Sequence, residues 1–184
     1  MPVVRFKIGL AGIVLAVTTA ANAQQTTTAP SPIAACGSDT VQFTTQHGET
    51  GDASPPESSD KATIYVIEIY NLADKGRFAR PTVRVAMDGS WLGATQGFSY
   101  LRFPADPGTR HLCVRWQSAF SRLSQQLALY NFDAVAGKTY YFRVPIAVEG
   151  GSSGGAISID LEPVSDDEGK FLVSEAARSV SKVK

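Results

Sequence analysis

The chain is expected to be an all-β protein, an antiparallel β-sandwich with one C-terminal α-helix. Three observations predict this. Residues 81–117, PTVRVAMDGSWLGATQGFSYLRFPADPGTRHLCVRWQ, alternate apolar and polar side chains in short runs punctuated by Asp88-Gly89, Gly93, Gly97 and a Pro107-Gly108 turn. Similar runs recur at residues 62–71, 139–148 and 157–161. Only near the C-terminus does the apolar spacing change to that of a helix, with Leu172, Ala176 and Val180 four residues apart.

The N-terminus comes first. Residues 1–23 carry Arg5 and Lys7, an apolar run from Ile8 to Val17 and the small-x-small site Ala21-Asn22-Ala23, the order of a cleaved secretory signal peptide. The run is too short for the roughly 20 apolar residues of a membrane span, and no second long apolar run follows. No transmembrane helix is therefore expected in the mature chain. Residues 24–35 begin QQTTTAPSP, a polar, proline-broken leader. Residues 36–184 then have the size of one domain.

The sequence has 17 Lys plus Arg and 17 Asp plus Glu, and loss of Arg5 and Lys7 with the signal leaves the acids in excess by two. Such a balance offers no basic field for nucleic acid and no polybasic patch for a membrane surface. Cys36 and Cys113 are the only cysteines. Export places them where disulfides persist, and two cysteines allow a single intramolecular pairing. The alternative reading takes Ile33-Ala34-Ala35-Cys36-Gly37 as a lipobox with a lipid anchor on Cys36. Against it stands the polar stretch 24–32, which separates that motif from the apolar run.

Within the domain, residues 41–45 alternate as a first strand, and residues 46–61, QHGETGDASPPESSDK, have the composition of a mobile loop. In residues 62–71, Ile64 and Val66 face one way and Tyr65, Ile67 and Ile69 the other, so both faces are apolar and the strand is central. Asp74-Lys75-Gly76-Arg77 is a turn. Val83, Val85 and Met87 share a face opposite Thr82 and Arg84, and Asp88-Gly89 is a hairpin signal leading into residues 90–95. Residues 98–103 form a short strand ending at Pro104. Its successor, residues 109–117, turns Leu112, Val114 and Trp116 inward.

Residues 125–132 form the next strand, with Leu127 and Leu129 expected inside. In residues 139–148, Tyr140, Phe142, Val144, Ile146 and Val148 alternate against Tyr141, Arg143, Pro145 and Ala147, and Pro145 marks an edge or a bulge because it cannot donate to a ladder. Residues 150–155, GGSSGG, are a hairpin tip, lacking the lysine and following helix of a phosphate loop. Ile157, Ile159 and Leu161 alternate with Ser158, Asp160 and Glu162. Ser165-Asp166-Asp167-Glu168 matches a capping box, starting a helix over about residues 168–181 with Gly169 weakening its first turn. Strands of this number and length suit a sandwich of the immunoglobulin or transthyretin kind.

The strand at residues 62–71, the Asp88-Gly89 hairpin, the Pro-Gly turn feeding residues 109–114 and the block Ala136-Gly137-Lys138-Thr139-Tyr140-Tyr141-Phe142 together resemble bacterial domain-of-unknown-function family 2846 over about residues 62–171. That resemblance implies an exported, lipoprotein-like envelope protein and carries no assigned functional residues. The hairpin and Pro-Gly turn also look like PEGA-type surface β-modules.

Catalytic patterns are not found. His47 and His111 lack metal-ligand spacing, no Gly-x-Ser-x-Gly elbow occurs, and Ser90 belongs to a turn. Asp166, Asp167 and Glu168 suit a helix N-terminus rather than a calcium loop, and Asp160 and Glu162 lie on an outward face. The expectation is therefore a non-enzymatic binding or structural module, secreted or periplasmic, with no cofactor and no metal. Its partner is an envelope protein or cell-wall glycan, met through Trp91, Tyr100 and Tyr130, aromatics on or beside hairpins. Two alternatives stand beside it: an envelope enzyme acting on a glycan or peptide with loop-borne carboxylates, and an accessory subunit docking through its C-terminal helix.

Overall fold

The computed structural model describes residues 35–51, 59–70, 81–149 and 156–184. The expected signal peptide, nearly all of the leader, the middle of the 46–61 stretch, the turn at Asp74-Lys75-Gly76-Arg77 and the tip at 150–155 lie outside them. In chain order the elements are β1 (Phe43–Thr50), β2 (Ala62–Tyr70), β3 (Thr82–Met87), β4 (Ser90–Gln96), β5 (Ser99–Ala105), β6 (Gly108–Gln117), α1 (Ser121–Ser124), β7 (Leu127–Ala134), β8 (Thr139–Glu149), β9 (Ala156–Ile159), β10 (Glu162–Val164), α2 (Asp166–Glu175) and β11 (Ala177–Val183).

The strands form two sheets, one ordered β1-β11-β5-β2-β8-β10 with β9 also on β8, the other β4-β3-β6-β7. The protein is an all-β sandwich. Its small sheet is antiparallel as expected, while the large sheet is mixed, since β2 runs parallel to β8 and β11 parallel to β5. Each parallel pair is joined by a long connection, as that pairing requires. Between the sheets lie Ile64 and Val66 of β2, Val83 and Val85 of β3, Leu112, Val114 and Trp116 of β6, and Phe142, Val144 and Ile146 of β8, the phases read from alternation. Burial of each such side chain stabilises the fold by about 1.5–3 kcal/mol.

Both outer faces are covered as well. On the large sheet Tyr65, Ile67, Tyr100 and Tyr141 pack under Val173 and Ala176 at α2. On the small sheet Cys113 is bonded to Cys36, with Cα atoms 5.1 Å apart, and the 35–42 segment lies across Ala86, Trp91 and Leu129. Arg84 and Arg115 hold that segment. Arg84 Nη1 donates to the carbonyl of Val41 at 2.6 Å, and Arg115 pairs with Asp39 and donates to Ser124 O. The 77-residue separation of the cysteines corresponds to about 4.5 kcal/mol of unfolded-chain entropy.

This covering corrects one expectation. Leu129 lies opposite Cys113 and packs beside the disulfide on the outer face, and Ala128, Tyr130 and Phe132 pack toward the core instead. An apolar phase does not identify the inner face when both faces are apolar.

One local reading holds, and the edge or bulge expected at Pro145 is corrected: β8 is paired on both sides there with no shift of register. Asp88 and Gly89 have φ of 50° and 81°, the left-handed pair of a primed hairpin turn, joining β3 to β4. Pro145 sits at an interruption: Arg143 pairs with Glu162 and Ile146 with Ile159 in one register, and between them Asp160 N donates to Pro145 O. The proline cannot return the second bond, so one ladder divides into β9 and β10. Pro104, expected to end its strand, instead lies within β5 opposite Thr63. Beyond Tyr100 the other side of β5 carries no ladder among the described residues, so the missing donor breaks no pairing there.

The C-terminus departs furthest from expectation. Ser165 Oγ accepts from Glu168 N at 3.3 Å, as the capping box predicts, but α2 ends at Glu175 rather than near residue 181. Ala176 is extended, and residues 177–183 form β11 between β1 and β5. Ser179 is buried and its neighbours Arg178 and Val180 are exposed, a two-residue period hidden by the coincidental four-residue spacing of Leu172, Ala176 and Val180. β11 needs β1 as a partner, so residues 46–50 of the expected loop are strand.

Candidate functional site

A groove of about 470 Å³ opens where three departures from regular pairing meet. The first is in β4: Val85 pairs with Gly93 and Ala86 with Trp91, leaving Leu92 as the extra residue of a bulge, 39% exposed. The second is in β1: His47 pairs with Ser179 and Thr50 with Ala177, so Gly48 and Glu49 together oppose Arg178. The third is the parting of β11 from β5, whose parallel ladder is confined to Ala177↔Ser99 and Arg178↔Tyr100. Bulges re-aim side chains. Here they bring Leu92 and Glu49 to one opening, where Leu101 and Val180 complete an aliphatic lining beside Arg178, Ser179 and Ser181.

The groove's walls are pinned by side chains. β4 is an edge of the small sheet, and at Ala94 and Gln96 its outward backbone groups all have partners. Ser181 Oγ accepts from Ala94 N at 3.1 Å, Ser179 Oγ donates to Ala94 O at 2.6 Å, Ser99 Oγ accepts from Gln96 N at 3.0 Å, and His47 Nε2 donates to Gln96 O at 2.6 Å. Gly93 permits this approach, because a Cβ there would stand 2.6 Å from Ser181 Oγ and 3.1 Å from Leu101. One histidine thus acts as an edge clamp. The other, His111, meets Asn131 Oδ1 through Nδ1 at 2.7 Å, and its backbone N–H donates to Asp88. Among the described residues no group of three or more His, Cys, Asp or Glu is placed to hold a metal ion.

The Glu68 carboxyl is fully buried, reaching from β2 of the large sheet to Thr95 of the small one. Gly97 N donates to Oε1 at 2.8 Å, and Thr95 Oγ1 lies 2.7 Å from Oε2. Desolvation pushes this carboxyl up to about 8, against the pull of those two hydrogen bonds. Alternation from Ile64 and Val66 already put Glu68 on the inner face. That was the signal for it, passed over because the strand reads as uniformly apolar.

The candidate contact residues separate. Tyr100 is fully buried, its hydroxyl donating to Gly51 O at 2.9 Å, which removes it from any contact surface: a strand covered on both faces leaves no exposed side for its ring. Trp91 donates from Nε1 to Ser38 O at 2.7 Å, under the Arg84 guanidinium 4.4 Å from its ring centre. Burial, then the nearby Arg115, lowers the pKa of Arg84. Tyr130 is half-buried against Phe142, ring centres 5.4 Å apart. Among the carboxylates, Glu162 and Glu168 both bind Arg143, tying β8 to β10 and α2, where Glu162 was expected to be simply solvated; Asp160 is exposed, as expected.

Among the described residues no helix is long and apolar enough to cross a membrane. Compared with protein-family models, with curated proteins and with solved structures, the chain finds no match in any of the three.

Proposed function

We propose that this chain is a non-enzymatic binding module of the bacterial envelope whose groove receives an aliphatic side chain from a protein partner. The observation that carries the reading is the convergence of two bulges on one opening, with Leu92, Leu101 and Val180 lining it. A buried bulge residue would be packing; Leu92 is instead held partly exposed at the mouth. Aliphatic lining favours an apolar side chain over a sugar ring, which is best met by an aromatic platform, and the rings of Trp91 and Tyr100 are engaged elsewhere. Residence outside the cytoplasm is supported by the Cys36–Cys113 disulfide and by the signal-like N-terminus. The resemblance to family 2846 belongs to the same proposal.

A photo-reactive amino acid placed at position 92 in the source cell tests it. One recurrent protein adduct is expected, lost when Val180→Asp is added and not formed from position 120, which caps α1 between β6 and β7 and does not line the groove. Absence of an adduct at 92, or the same adducts from both positions, would refute the groove as the binding site.

A further inference from the structure

The short connection between β4 and β5, Gly97-Phe98, is where the strands lining the groove are fastened together. His47 of β1 donates from Nε2 to Gln96 O at 2.6 Å, Ala177 N at the start of β11 donates to Phe98 O at 3.3 Å, and Ser99 Oγ of β5 accepts from Gln96 N at 3.0 Å. Leu92, Leu101 and Val180 stand a few residues from these anchors on β4, β5 and β11. A shift of the turn is therefore passed to every aliphatic wall of the groove.

Glu68 of β2 holds that turn from beneath. Its Oε1 accepts from Gly97 N at 2.8 Å, and its Oε2 lies 2.7 Å from Thr95 Oγ1. Around the carboxyl, β5 contributes Ser99 and β8 Val144 as ladder neighbours, and β3 lies beyond Thr95, whose hydroxyl is 3.5 Å from Val83 O. None of these side chains is charged. Desolvation raises the carboxyl more than the two hydrogen bonds lower it, with no charged group among the described residues in that balance. An ionised Glu68 therefore needs water. Its ladder neighbours are fixed in β5 and β8, whereas the turn lies outside any ladder and reaches the surface at Phe98, 41% exposed.

We propose that Glu68 is a proton-operated latch on the groove. Neutral, it keeps the turn seated and the walls in place. Ionised, it gains water by lifting the turn, still bonded through Gly97, which loosens Gln96 from His47 and Phe98 from Ala177 and spreads Leu92, Leu101 and Val180. Control of binding by this latch rests on the groove being the partner's site, whereas movement of the walls needs no partner and is read without one. Three further charged or titratable side chains bear on the same region: His47 is bonded to the turn, and Glu49 and Arg178 line the groove. All three are retained in Glu68→Gln, which isolates the carboxyl.

Carbon-detected and methyl NMR of the oxidised mature chain, from about pH 5 to 10, is the test. The carboxyl carbon of Glu68 and the methyl groups of Leu92, Leu101 and Val180 should follow one titration with a midpoint of about 8, while the core methyl groups of Val114 and Ile146 stay in place. Glu68→Gln should abolish the movement of the groove methyls. Thr95→Val, which removes a bond favouring the charged form, should move the midpoint up, and it decides the matter if the glutamine variant fails to fold. A carboxyl that titrates while the groove methyls stay still, groove and core methyls that shift together, a curve that persists in Glu68→Gln, or a midpoint unmoved in Thr95→Val would overturn the latch. Failure of the photo-reactive probe at position 92 to find a partner would overturn the binding reading and leave these curves as they are.

Discussion

Gly169 rests on the ring of Tyr141: a Cβ at position 169 would stand 2.6 Å from Cδ1 and closer still to Cγ. The helix α2 therefore reaches the large sheet only because its first turn lacks a side chain there. Tyr141 in turn stacks on Tyr65, with ring centres 5.0 Å apart. The two relationships seat the helix on a tyrosine layer.

Gly169→Ala tests the contact with an inverted sign. In an exposed helix the substitution would stabilise by about 1 kcal/mol. Here the methyl group displaces α2 from Tyr141, and overpacking of that kind costs about 1–3 kcal/mol. Urea denaturation should show net destabilisation; an unchanged or raised midpoint would show that α2 can shift without loss.

The edge of β4 provides a second test. Ser179→Ala leaves the carbonyl of Ala94 without its donor, and Ser181→Ala leaves the N–H of Ala94 without its acceptor. Each loss should cost about 1–3 kcal/mol. The double variant should also bare the β4 edge to pairing with other chains, read as concentration-dependent light scattering well below the unfolding temperature. Single variants with wild-type stability would show that water replaces the serines freely.

How far this architecture was legible depends on the range of the forces involved. Alternation at Val83, Val85, Leu112, Val114, Phe142 and Val144 located the core strands, because a two-residue period is written locally, and Asp88-Gly89 located its turn for the same reason. Leu127 and Leu129 were misassigned because the Cys36–Cys113 bridge carries the chain over the outer face, a long-range event that makes an outer leucine look internal. β11 was read as helix because Ser179 and Ser181 are polar yet face inward, toward backbone groups that no local pattern reveals. The groove was illegible altogether. A bulge is a mismatch between two strands, and neither Leu92 nor Glu49 announces it alone.

Glu68 gives the fold a defined pH dependence. Oε1 accepts from Gly97 N and Oε2 accepts from Thr95 Oγ1; on protonation the second bond can reverse, the Oε2 proton going to Thr95 Oγ1 while the threonine hydroxyl turns to Val83 O, 3.5 Å away. The folded chain thus holds a proton that the unfolded chain releases near the ordinary value of 4.5 and that the native state releases only at about 8. Between those values the native state binds more protons, so stability from this group is complete below the lower value, declines as pH rises and levels off above the upper one. The shift bounds the loss at roughly 5 kcal/mol. Glu68→Gln keeps the shape, accepting from Gly97 and donating to Thr95, but has no proton to lose. Urea titrations at pH 5, 7 and 9 should show the wild type losing stability relative to the glutamine variant at each step, with the variant the more stable at pH 9. Parallel curves for the two proteins would mean that the carboxyl ionises without penalty, and that water reaches it between the sheets.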